Sequence, residues 1–147
     1  MTGRGAGGAT TGLGAGADTL NGGSGINTAD YSSSSAAVAV NLSTGTNTGG
    51  DAQGDVLTNI QDVIGSAFAD TLTGDCNANW LSGGAEADSL AGGGGNDTLS
   101  GGAVADTLDG GSGNNTADYT TSSAAVTVNL ATSTASGGDA AGDVLAN

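Results

Sequence analysis

Proline, histidine and lysine are absent from this chain of 147 residues, and it has one arginine, one cysteine and one glutamate, Glu86. Each absence excludes something. Without His or Lys, general-base and amine chemistry lack their usual residues. Zinc lacks the His or paired Cys that it prefers. The lone Cys76 gives no disulfide framework. Aromatics are 3% of the chain and much of its 36% hydrophobic content is alanine, so a conventional globular core is not expected. No stretch approaches the ~20 apolar residues of a membrane span. Met1–Gly8 carry one Arg and no apolar run, so no ordinary signal peptide is expected. The net charge of −14 is almost all aspartate. It rules against nucleic acid and anionic membrane as partners and favours divalent cations.

What the chain has in abundance is glycine, 30 residues, set in a short period. Residues 92–100 read Gly-Gly-Gly-Gly-Asn-Asp-Thr-Leu-Ser, filling the pattern G-G-x-G-x-D-x-U-x, in which U is a large apolar residue. Nine-residue phrases of this kind follow one another without a gap from Gly65 to Asp118. Leu72, Leu81, Leu90, Leu99 and Leu108 recur at that spacing, and Leu20 falls on the phase of an earlier copy. A disordered glycine-rich linker would not hold that register. A fixed short period predicts a solenoid.

A longer repeat encloses the short one. Residues 17–59 align with residues 105–147 at an offset of 88 without a gap, and 32 of the 43 pairs are identical. The expected organisation is a single β-solenoid, with nonapeptide blocks at about 4–29 and 65–118 and linking blocks at about 30–64 and 119–147. In the linking block Val38, Val40 and Leu42 alternate with Ala39 and Asn41, the pattern of a half-buried strand. Val126, Val128 and Leu130 are the same inward set in the second copy. Gly49-Gly50-Asp51 and Gly54-Asp55 mark turns. The β-branched Val56, Ile60, Val63 and Ile64 predict a further rung.

Within each phrase the glycine-rich half turns sharply. The last three residues, such as Thr71-Leu72-Thr73, form a short strand with Leu inward. Two phrases close one coil of 18 residues, so Asp70, Asp88 and Asp106 stack on one edge and Asn79, Asp97 and Asn115 on the other. Carboxylates one strand spacing apart, ~4.8 Å, repel by roughly 3–4 kcal/mol at an effective dielectric near 20. A divalent cation between turns removes that repulsion. Oxygen-only ligands and flexible carbonyl-bearing turns suit calcium better than magnesium. One Leu per nine residues does not offset the ordering entropy, so the chain is expected to be disordered without calcium.

Gly92–Ser100 resembles the repeat of the repeats-in-toxin, or haemolysin-type calcium-binding, proteins, and Gly83–Asp109 fits it closely. The segment AAVAVNLSTGT with GGDAQGDVL also looks like stretches between such arrays in large secreted bacterial proteins. The resemblance implies an all-β, right-handed parallel β-roll with calcium between stacked turns. It also implies export in the unfolded state and folding in extracellular calcium, in the medium or at a bacterial cell surface. Carried over residue by residue, the metal positions are Asp70, Asp88, Asp97, Asp106 and Asp18, with Asn79 and Asn115 weaker. Phe68, Asn77, Glu86 and Val104 replace the fourth-position glycine, and Arg4–Gly12 has Ala9 at the metal position and is expected to bind nothing. Asp30, Asp51, Asp55, Asp118, Asp139 and Asp143 are assigned to turns.

These features predict a non-catalytic, calcium-binding structural or adhesive protein. No cap is evident at either end of the array, which favours open head-to-tail self-association. One alternative is a calcium-dependent module of a larger secreted enzyme or toxin. Another is a surface that recognises ice or a glycan through an outward ladder of Thr71, Thr98, Thr107 and Thr116, interrupted by Trp80 and Ser89.

Overall fold

The computed structural model describes the backbone of residues 2–6 and the whole of residues 10–147. Ala9 lies outside the described residues. The first part of the chain forms β1 (Thr2–Ala6), β2 (Thr10–Gly12), β3 (Thr19–Ser24), β4 (Thr28–Asp30), β5 (Ala39–Asn41), β6 (Val56–Thr58) and β7 (Asp62–Ile64). Then come β8 (Thr71–Thr73), β9 (Trp80–Gly84), β10 (Ser89–Ala91), β11 (Thr98–Gly102), β12 (Thr107–Asp109) and β13 (Thr116–Ala117). β14 (Thr127–Asn129), β15 (Thr134–Ser136) and β16 (Val144–Ala146) follow. Among the described residues there is no α-helix, only 3-10 turns at Gly50–Ala52 and Gly138–Ala140.

Strands of the nonapeptide block alternate between two sheets. One runs β13-β11-β9-β7-β4-β2; the other runs β14-β15-β16-β12-β10-β8-β5, with β1-β3-β6 as a separate three-stranded sheet. Pairing in the block is parallel, and Leu90 pairs with both Leu72 and Leu108. Leu81 pairs with Leu99 on the opposite sheet. The protein is thus a β-roll, its coils stacked so that one leucine row from each sheet fills the interior. All five leucines are buried in one continuous core with Leu13, Leu20, Tyr31, Val38, Val40, Val63 and Leu145. A core made of two facing leucine rows needs little aromatic filling, and Tyr31 is its one fully buried aromatic side chain.

The linking residues leave this coil and rejoin it. Leu20 pairs with Leu57, and Leu108 with Leu145. Between them β5 docks in parallel on β8, with Val40 opposite Leu72, and bridges Thr48 in the antiparallel sense. β14 and β15 form the equivalent antiparallel pair 88 positions on, with Thr127 opposite Ser136. Val56–Thr58 and Asp62–Ile64 form the expected extra rung.

Two expectations are corrected. Val38 and Val40 are buried, but Val128 is 39% and Leu130 74% exposed. The alternation is the same in both copies; β5 pairs with β8 on one side and bridges Thr48 on the other, whereas among the described residues β14 pairs on one side only, with β15. The outward threonines do not form one ladder. Thr71 and Thr107 flank Ser89 on one sheet, while Trp80, Thr98 and Thr116 form a row on the other.

Candidate metal centre

The sixth residue of each phrase ends a turn, and its side chain reaches the neighbouring coil. Oδ1 of Asp70 accepts the N–H of Val38 at 2.7 Å. Asp88 accepts from Asp70 at 2.7 Å, Asp106 from Asp88 at 2.8 Å, and Asp143 from Asp106 at 2.9 Å. Asp55 accepts from Asp18 in the same way at 2.7 Å. From Asp70 to Asp143 these bonds thread one carboxylate per coil into a buried column. On the opposite edge Asp97 accepts from Asn79, and Asn115 from Asp97, both at 2.9 Å. The sequence places Asp70, Asp88 and Asp106 together and Asn79, Asp97 and Asn115 together, and the structure does the same. Asp18 stacks on Asp55 beside the separate β1-β3-β6 sheet, apart from the column that runs from Asp70 to Asp143.

The second atom of each side chain separates these positions. Oδ2 of Asp88, Asp97 and Asp106 is buried and accepts no hydrogen bond. Oδ2 of Asp70 accepts the Ser66 N–H at 2.5 Å, and the Ser66 hydroxyl donates to its Oδ1 at 2.8 Å. The Asn79 amide donates to the Gln61 carbonyl at 2.8 Å. A buried acceptor without a partner is costly, more so for a charged group. Glycine makes the close seating possible. A Cβ on Gly83, Gly92 or Gly101 would run into the carboxylate of Asp88, Asp97 or Asp106 respectively. Backbone carbonyls also stack between turns: a Cβ on Gly102 would meet the Gly84 oxygen, and one on Gly111 the Gly93 oxygen.

Burial pushes the Asp88 carboxyl up to about 7, reinforced by the negative charges of Asp106, Asp70 and Glu86. Burial likewise pushes Asp106 up to about 6, with Asp143 adding to it, and raises Asp97. The column therefore holds negative charge poorly by itself. Among the described residues no three acidic, His or Cys side chains gather at one point. A cation here would take one carboxylate per coil and complete its shell from turn carbonyls. That donor set is all oxygen and adaptable, as calcium requires. The orphaned Oδ2 atoms and the glycine cradles fit such an ion.

Other singled-out residues fall as follows. Asp30 and Asp118 accept local N–H groups from Ser32 and Thr120, each at 2.9 Å. Asp51 and Asp139 lie in the 3-10 turns. Asp55 and Asp143 depart from the turn assignment, because they bond coils 37 residues away in sequence. A signal for them exists: Asp55-Val56-Leu57 and Asp143-Val144-Leu145 repeat the D-x-U half of the nonapeptide. Cys76 is exposed and free. Val104 takes the left-handed region at φ 78°, as the fourth-position glycines Gly95 and Gly113 do at 113° and 125°.

A sequence model of the RTX calcium-binding nonapeptide repeat matches the chain in four copies, over residues 13–29, 61–90 and 77–108. These intervals contain Asp18, Asp70, Asp88, Asp97 and Asp106. No curated protein matches the chain. The matched residues are RTX calcium-binding nonapeptide repeats, and the protein is a calcium-binding repeat protein with a β-roll fold.

Proposed function

We propose that the chain is a calcium-clamped structural and adhesive element, working outside the cell or on a bacterial surface and stacking head-to-tail into a filament. The observation that carries the metal reading is the set of buried, partnerless Oδ2 atoms on Asp88, Asp97 and Asp106. Calcium sits against these three; Asp70, Asn79 and Asn115 flank them in the two columns, and Asp18 stands apart with Asp55. Bound there, the ion supplies positive charge between coils. The carboxylates orient it, Gly83, Gly92 and Gly101 let them approach, and the leucine rows exclude water from behind. Extracellular calcium is abundant enough to serve as the folding trigger, which fits a secreted protein. The repeats are structural, and periodic aspartate with no His or Lys gives no support to catalysis.

Head-to-tail extension is supported by a comparison within the chain. β5 is paired with β8, with Val40 beside Leu72. The homologous β14 leaves Val128 and Leu130 exposed beside a groove of about 520 Å³ that Leu99, Leu108 and Leu145 also line. In this reading a strand of a second copy of this chain seats on β14 as β8 seats on β5. The contact is heterologous, so it builds an open filament. Size-exclusion chromatography and electron microscopy in calcium test this: filaments or an open series of oligomers are expected, and monomers alone contradict it. Leu130→Asp should abolish assembly while leaving the coil structure unchanged.

A further inference from the structure

We propose that a tyrosine hydroxyl stands in for the cation wherever a linking segment rejoins a carboxylate stack, Tyr31 at Asp55 and Tyr119 at Asp143. This rests on calcium binding at Asp88, Asp97 and Asp106. Asp55 and Asp143 have the same surroundings as those residues in one respect: Oδ1 of each accepts the N–H of a stacked aspartate, Asp18 or Asp106. Asp18 and Asp55 form a stack of their own, but the contact is of the same kind. The difference lies at the second oxygen. The Tyr31 hydroxyl donates to Asp55 Oδ2 at 2.9 Å, and the Tyr119 hydroxyl donates to Asp143 Oδ2 at 2.6 Å. A phenol keeps its proton at neutral pH, so the donor is permanent. A hydrogen bond to a charged acceptor is among the stronger ones.

The placement is specific. Tyr31 directly follows β4 on one sheet, and Asp55 directly precedes β6 on the other, so the ring crosses the interior as a strut. It is fully buried, and its hydroxyl ends at the oxygen that would otherwise lack a partner. These are the only two tyrosines in the chain, and both make this contact. Along the first column Asp70 is closed by Ser66 and Asp143 by Tyr119, while Asp88 and Asp106 between them stay open. The structure thus divides into calcium-dependent coils in the middle and cation-free joints at the linking segments. A filament of such units would keep its joints when calcium falls.

Calcium counting by native mass spectrometry on the full chain tests this, with Tyr31→Phe and Tyr119→Phe beside it. The unaltered chain should bind three ions, one for each open carboxylate. Each Phe variant should bind one more and need several-fold more calcium to reach half its β signal. Adding Asp55→Asn to Tyr31→Phe should return the count to three. Five ions on the unaltered chain, or Phe variants with its count and midpoint, would overturn the proposal. If Tyr31→Phe does not fold at any calcium level, the less buried Tyr119→Phe and the count on the unaltered chain decide. No bound ion on the unaltered chain contradicts the calcium reading itself, a result distinct from five.

Discussion

Oδ1 of Asp88 accepts the backbone N–H of Asp70 at 2.7 Å, one 18-residue coil apart. The same carboxylate thus holds two coils in register and leaves its other oxygen open to a cation. Asparagine separates the two roles. Asp88→Asn keeps an acceptor for Asp70 and should lose one bound calcium while remaining folded at high calcium. Asp88→Ala also strands the Asp70 N–H and should cost about 1–3 kcal/mol beyond the Asn variant. Calcium counting and denaturant melts in excess calcium measure both.

The first glycine of a phrase is predicted to be irreplaceable and a surface glycine dispensable. A Cβ on Gly101 would lie 2.6 Å from Cγ of Asp106, whereas one on Gly14 would meet nothing within 4 Å. Gly101→Ala should destabilise the calcium form by about 1–3 kcal/mol, and Gly14→Ala should stay within about 0.5 kcal/mol. Thermal or urea melts in calcium distinguish them.

Val104 is a β-branched residue in the left-handed region, 54% exposed. Such a conformation costs on the order of 1–3 kcal/mol. Val104→Gly restores the residue type of the repeat and should stabilise the protein by up to about 1 kcal/mol after glycine's own entropy is counted. A rise in melting temperature in calcium is the expected reading.

Acid should partly replace calcium. In the metal-free fold Asp88 and Asp106 hold their protons to about 7 and about 6, against about 4 for an unfolded aspartate. Between those values the folded chain binds more protons than the unfolded one, so metal-free stability is greatest at the acid end and is lost as pH rises toward 7. Circular dichroism in chelator should show more β structure at pH 4.5 than at pH 8. With calcium present, protons compete for the same oxygens, so the calcium midpoint should rise as pH falls below 7.

The coil register was legible because period and burial coincide: every nine-residue leucine from Leu72 to Leu108 faces the core. The two edges followed from the same arithmetic. Exposure of Val128 and Leu130 was not legible, because alternation tells which way a side chain faces and not whether another strand covers it. The Tyr31 strut was also hidden. Tyr31 and Asp55 are 24 residues apart, and only closure of the coil across the linking segment brings them together. Their recurrence as Tyr119 and Asp143 marked them as a pair without saying that they touch.

Calcium titration of the full chain followed by far-ultraviolet circular dichroism tests the central claim most directly. A largely disordered spectrum in excess chelator that converts to β structure as calcium is added is the predicted result. A β spectrum unchanged between chelator and calcium at neutral pH would contradict it.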